Sequence, residues 1–211
     1  TFVPHELELA DLPGMLCRWE VTNRRNQPAQ VEVILAWPNL VGTGGGVAEP
    51  ERQIGYADGF YEFFEAPDGQ VAREIEAGGH RVLEYTNMPS PHKPAADGRH
   101  LVAVAGPDAA VDADPTRGRV RRTLTVPPGQ TVTADMVVVW DMPHWLDTLG
   151  NDGGHLWQTR YDDATNIVVT LLDRADDILT GGGALAELLD DTDLPAWLRY
   201  RLCDANYPLM T

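Results

Sequence analysis

The apolar period of this chain changes once, after Pro143, and that change limits the fold more than any other feature. Before it, short apolar runs alternate with polar neighbours and are punctuated by Gly, Pro, Asn and Asp; after it, apolar residues recur three and four positions apart. Period two marks half-buried strands and a period near 3.6 marks amphipathic helices. Strands first and helices last describe either an α+β fold or the seam between two domains. The expected fold class is mainly β, an antiparallel β-sandwich followed by carboxy-terminal helices.

In the strand region, "MLCRWEVTN" is followed by the turn "RRNQPAQ" and by "VEVILAWPN", where Val31, Val33, Leu35 and Trp37 alternate with their neighbours. This pair is expected to be a β-hairpin. Further strands are expected at "GFYEFFEA", "QVAREIE", "RVLEYTN", "HLVAVAG", "RVRRTLTV" and "TVTADMVVVWDM". The turns "APDGQ", "EAGGH" and "VPPGQT" space several of them as a sandwich does. The last strand becomes continuously apolar, which predicts full burial. The loop "VGTGGGVAEP" lacks the GK[ST] ending that a phosphate-binding loop needs.

In the helical region, Ala164, Ile167, Val168, Leu171, Leu172, Ala175, Ile178 and Leu179 form one stripe, with Asp162 or Asp163 as its cap and Gly181 as its end. A second helix is expected to start at Asp193, with Pro195 in its first turn and Trp197, Leu198, Leu202, Ala205 and Leu209 at helical spacing. A sandwich offers such helices only an outer face. The expected organisation is a sandwich over 1–145, a helical linker over 146–192, and the first helix of a further helical domain over 193–211. Trp197, Leu198, Leu202 and the outer stripe of 164–179 are then expected to stay partly exposed in this chain.

Charge and cysteine usage narrow the function. The 32 acidic residues against 16 basic ones give a net charge of −16, which argues against nucleic acid as a partner. No apolar run reaches the length of a transmembrane segment, and "TFVPHELELADLPG" has neither the basic region nor the apolar core of a signal peptide. A cytoplasmic location is expected. Cys17 and Cys203 form no CxxC pair or zinc spacing, which excludes a disulfide framework and suggests buried free thiols.

Chemistry-bearing residues concentrate at "WDMPHW". Trp140 and Trp145 could stack on a sugar ring with Asp141 accepting hydroxyl hydrogen bonds; equally, a strand leaving a buried sheet uses such residues to pack against a neighbouring domain, and packing is the preferred reading. "NDGGH" and "ADGRH" place His155 near Asp152 and His100 near Asp97 along the chain, without zinc or calcium ligand spacing. No metal site and no cofactor are expected. The doublets Asp162–Asp163, Asp176–Asp177 and Asp190–Asp191 point about 100° apart on a helix and cannot face each other across a glycosidic bond. No GxSxG or HExxH motif occurs, and the residues read alone show no active site.

The order of motifs carries more than any single one. "FVPHELELADLPGMLCRWEVTN", "VEVILAWPNLVG", "LTVPPGQTVTADMVVVWDMP", "WQTRY", a helix and "LPAWLRYRLCDANYPLMT" together resemble glycoside hydrolase family 116, the group of non-lysosomal glucosylceramidases and bacterial β-glucosidases. Trp140, Asp141, Pro143, Arg160, Tyr161, Leu194, Pro195 and Trp197 carry the likeness best. Asn206 and Tyr207 also match, whereas Cys203, Asp204 and the short "PDAAVDADPTRG" segment depart from the family.

The resemblance implies an amino-terminal sandwich leading into an (α/α)6 catalytic barrel that lies beyond this chain, and retaining hydrolysis of a β-glucoside there. The family's nucleophile and acid/base carboxylates lie in the barrel, so no catalytic residue is assigned here. Trp140, Asp141, Trp145, Arg160, Tyr161 and Trp197 are candidates for the domain interface or for sugar stacking. The implied partners are the barrel of the same protein and a β-glucoside at the seam. The alternative is a stand-alone carbohydrate-binding or protein-interaction sandwich.

Overall fold

The computed structural model describes residues 6–41, 69–87, 97–144 and 152–204. The strand expected at "GFYEFFEA", the triple-glycine loop and Trp145 lie outside these residues, as do Ala205, Asn206, Tyr207 and Leu209. A short helix, α1 (Leu7–Ala10), precedes the strands β1 (Gly14–Thr22), β2 (Ala29–Pro38), β3 (Val71–Ala77), β4 (His80–Thr86), β5 (Arg99–Val104), β6 (Ala109–Asp112), β7 (Arg117–Val126) and β8 (Thr131–Asp141). After a 3-10 turn (Leu156–Thr159) come α2 (Ala164–Asp173), α3 (Ala175–Asp190) and α4 (Ala196–Asp204). The protein is an antiparallel β-sandwich followed by helices, as the change of period implies.

One sheet has the strand order β1-β8-β5-β4-β3 and the other β2-β7-β6. The expected hairpin between β1 and β2 does not form. β1 lies along β8, from Gly14 opposite Val139 to Thr22 opposite Thr131, whereas β2 lies along β7 in the other sheet. The connecting residues 23–28 exceed the length of a tight hairpin loop and cross between sheets instead. Asn23 closes that crossing: its Nδ2 donates to the carbonyls of Gln27 and Val126, both at 2.8 Å, and its Oδ1 accepts from the Arg25 amide at 3.0 Å. The PPGQ turn likewise passes from β7 in one sheet to β8 in the other. β6 occupies the segment that reads in sequence as a plain connection.

Alternation assigns the faces. On β2, Val31, Val33, Leu35 and Trp37 point inward as expected. Leu83, Tyr85, Val102, Val104, Met136 and Val138 of the five-stranded sheet meet Val120 and these β2 residues across the sandwich. The opposite face of the same sheet is also buried. Val82, Leu101, Ala103, Val137 and Val139 pack against Ala164, Ile167, Val168 and Leu171 of α2. Cover on both faces is why β5 and β8 read as continuous apolar runs.

This arrangement corrects the expectation for the first stripe. Ala164, Ile167, Val168 and Leu171 are fully buried, and Leu172, Ala175 and Ile178 nearly so. Removing such side chains from water contributes roughly 1.5–3 kcal/mol each. Only Leu179 of that stripe is exposed. The helix approaches so closely that a Cβ at Gly78, in the β3–β4 turn, would stand 2.7 Å from Val169 Cγ2. Gly78 also has φ +56 and Gly79 φ +83, the left-handed pair that a two-residue hairpin loop requires.

The helical boundaries differ too. Arg174, at φ −103 and ψ 20, separates α2 from α3, and its guanidinium is drawn to Glu6 Oε2 at 3.1 Å. Gly181 does not end a helix, because α3 runs on through Gly181–Gly183 to Asp190. Glycine costs a helix about 1 kcal/mol per residue, and the strong helix formers of "ALAELLD" that follow carry the ladder onward.

Candidate functional site

The end of β8 and the start of α2 meet at Arg99 on β5. Its Nε donates to Asp141 Oδ2 at 2.8 Å, its Nη2 to Asp163 Oδ2 at 2.7 Å and its Nη1 to Glu84 Oε1 at 3.3 Å. Glu84, on β4, is 2% exposed and also pairs with Arg73 of β3. Asp163 is the expected cap of α2: its Oδ1 accepts from the Thr165 amide at 2.8 Å and from the Thr165 hydroxyl at 2.6 Å. Burial opposes the charge on Asp163, but the bonds from Thr165 and Arg99 outweigh it and lower its pKa. One guanidinium thus fixes the first turn of α2 onto three strands. Pairing of this kind supplies position; removing one partner leaves a costly unpaired charge.

Asp141, a candidate for sugar hydroxyls, is therefore an ion-pair partner of Arg99. Trp140 alternates to the other face of β8 and packs against the sandwich interior, opposite His100 of β5. Arg160 Nη1 donates to Asp11 Oδ1 at 2.7 Å, and Tyr161 packs against the apolar layer between sheet and α2. Burial raises the Asp11 pKa against the opposing effect of Arg160. Asp141, Arg160 and Tyr161 thus lie at the joint between strands and helix, Trp140 lies in the sandwich interior, and Trp197 stands apart from them on α4.

The histidines are arranged differently from their sequence neighbours. Asp152 and Asp97 both lie beside His144, with Nδ1 2.5 Å from Asp152 Oδ2 and Nε2 3.4 Å from Asp97 Oδ2. The hydrogen bond to Asp152 chiefly raises the His144 pKa. Since the carboxylates occupy opposite ring nitrogens, they do not converge on one ion, and among the described residues no cluster is arranged to hold a metal. His155 instead stacks with Trp157, the centroids 6.4 Å apart. His100 is 6% exposed, its Nδ1 lacks a partner, and burial lowers its pKa to about 4.

Among the described residues the most exposed large apolar side chains are on α3 and α4, while Leu156, Trp19, Val71, Ile34 and Met15 are exposed singly elsewhere. Leu188 is 66% exposed, Trp197 66% and Tyr200 71%, with Leu194 and Leu202 also exposed. Leu198 is half-buried and departs from the expectation least. The Arg199 Nη1 holds α4 to α3 through Asp190 Oδ1 at 2.6 Å. Trp197 and Tyr200 are one helical turn apart and share a face.

Sequence reasoning did not single out Arg99, Glu84 or His144. The signal for the first two was present in the strand pattern, because each charged side chain interrupts a strand whose flanking residues are buried. It takes the register of β4, β5 and β8 to show that they meet.

No protein-family model matches the chain, and no curated protein matches it. Among solved structures, a putative kojibiose phosphorylase from human microbiome matches over 97% of this chain and 20% of that chain, with 10% sequence identity and a TM-score of 0.42. The chain spans about a fifth of the length of that structure.

Proposed function

We propose that this chain is the β-sandwich part of a β-glucoside hydrolase of the family-116 type, and that α3 and α4 seat it on a helical (α/α)6 catalytic domain. One observation carries the reading: α2 is consumed by the sandwich, while Leu188, Trp197 and Tyr200 on the next two helices present an apolar face to solvent. Large apolar side chains left this exposed suit an interaction site, and Trp197 and Tyr200 share one face of α4. The order of the WDMP, QTRY and LPAWL motifs supplies the identity of the partner. In this reading the catalytic carboxylates belong to the helical domain, and the Arg99 joint keeps the sandwich rigid against it. In this reading the protein is cytoplasmic.

The test is an assay on an aryl β-glucoside of the whole gene product and of this chain alone. The gene product should hydrolyse it with retention and the chain should not. In the gene product, the double substitution W197S/Y200S should lower activity and melting temperature together. Hydrolysis by the chain alone, or a gene product without a helical domain, overturns the reading. A second reading, a carbohydrate-binding module acting without a barrel, is favoured by the exposed aromatic pair itself. Retardation of the chain on immobilised β-glucan, lost in W197S/Y200S, would select it.

A further inference from the structure

We propose a binding site for a sugar-sized anion at the end of the sandwich opposite the Arg99 joint, where the chain crosses from β1 to β2. A cavity of about 390 Å³ opens there. The half-buried Val21 and Val31 give it an apolar floor, and Val126, which also borders it, is itself fully buried. Its polar lining includes Arg24, Arg25 and Gln30, and no residue lining it is acidic. In a chain of net charge −16 that combination is selective. Most described arginines are tied to carboxylates, whereas Arg24 and Arg25 form no ion pair among the described residues. Glu32, two residues along β2 from Gln30, is already paired with Arg121 at 3.0 Å.

The site is also held in place before any ligand arrives. The bonds from Asn23 to Gln27, Val126 and Arg25 fix the crossing, and its backbone is strapped to the neighbouring turn by Asn23 N–H to Gln130 O at 2.9 Å and Gly129 N–H to Asn23 O at 2.8 Å. Guanidinium forks match a pair of oxygens on a carboxylate or phosphate, and the half-buried Val21 and Val31 suit the C–H face of a pyranose ring. The volume lies in the range of small-ligand cavities. The ligand class is therefore a monosaccharide unit carrying a carboxylate or phosphate, and the assignment is independent of what covers α3 and α4.

The experiment is an amide chemical-shift titration of the isotope-labelled chain with glucuronate, glucose 6-phosphate, glucose and inorganic phosphate. Saturable shifts confined to residues 21–31 and Val126 are expected with glucuronate or glucose 6-phosphate, and the tighter of the two identifies the anionic group. R24A/R25A should weaken that binding by about tenfold or more while leaving the remaining amide spectrum unchanged, and R24K/R25K should restore part of it. No saturable shift with either anionic sugar overturns the site. So does binding that R24A/R25A leaves intact, or inorganic phosphate binding as tightly as the sugar phosphate, which would leave the valine floor without a role.

Discussion

Helix α2 loses its apolar stripe to the sheet beneath it, whereas α4, two helices later, leaves Trp197 66% and Tyr200 71% exposed. Composition already leans the same way, because α2 reads ATNIVVTLLD whereas α4, AWLRYRLCD, sets Arg199 and Arg201 among its large apolar side chains. Available surface separates them further. The five-stranded sheet has one face free of the sandwich, and α2 with α1 and Trp157 fills it. Arg99 then fixes α2 at Asp163, and Arg18 reaches the next helix by bonding Asp176 Oδ1 at 2.6 Å. Beyond that point α3 and α4 have each other and little else. An apolar residue stabilises a fold only where a partner surface exists, and the second half of the helical region has none within the described residues.

The sharpest test of that contrast is Leu171→Ala in α2. It should cost roughly 4 kcal/mol in urea unfolding, since a fully buried leucine leaves a cavity behind. A loss below about 1 kcal/mol would mean that α2 is no more committed to the sheet than α4 is.

Acid comes next. His100 is neutral in the folded interior with a pKa of about 4 against 6.5 when unfolded. As pH falls below 6.5 the unfolded chain takes up a proton that the native state refuses, so stability declines until about pH 4, by on the order of 3 kcal/mol. His144 works in the opposite sense, because its raised pKa favours the folded state at low pH and that contribution is lost as pH rises through the folded value. It is exposed, so its share is small. His100→Phe should flatten the acid limb measured by unfolding between pH 6.5 and 4; an unchanged slope would show that the sandwich interior admits the charged ring.

Smaller still is Asp163→Ala, which removes the α2 cap and one partner of Arg99. About 1 kcal/mol is expected, with faster amide exchange confined to the first turn of α2. Equal protection in both proteins would assign the fixing of α2 to apolar packing alone. The smallest effect should be that of Trp197→Ser with Tyr200→Ser in this chain, under about 0.5 kcal/mol, because their side chains face solvent. A loss comparable to that of Leu171→Ala would erase the difference between the helices.

The strands at β3, β4, β5, β7 and β8, the inward set on β2, a cap at Asp162 or Asp163 and the exposure of Trp197 and Leu202 were all legible, because each depends on a local period or a single side chain. The β1–β2 hairpin was misread, since alternation identifies a strand without naming its neighbour. The helix end at Gly181 was misread because a glycine preference competes with the helix formers on either side. Of the candidate site, the sequence marked Asp141, Arg160 and Tyr161 as a region, but not that Asp141 pairs with Arg99, because that contact joins residues 42 positions apart.

The amino-acid order by itself determined most of the strands, the start of α2 and α4, and which face of β2 and α2 is apolar, since these follow from side-chain spacing and backbone sterics within a few residues. Only the tertiary structure decided which strands pair across the two sheets, that α2 and not α4 occupies the free face, and that Arg99, Glu84, Asp141 and Asp163 form one network. Those outcomes depend on competition for a limited apolar surface and on contacts between residues far apart in the chain, and no local pattern encodes the winner.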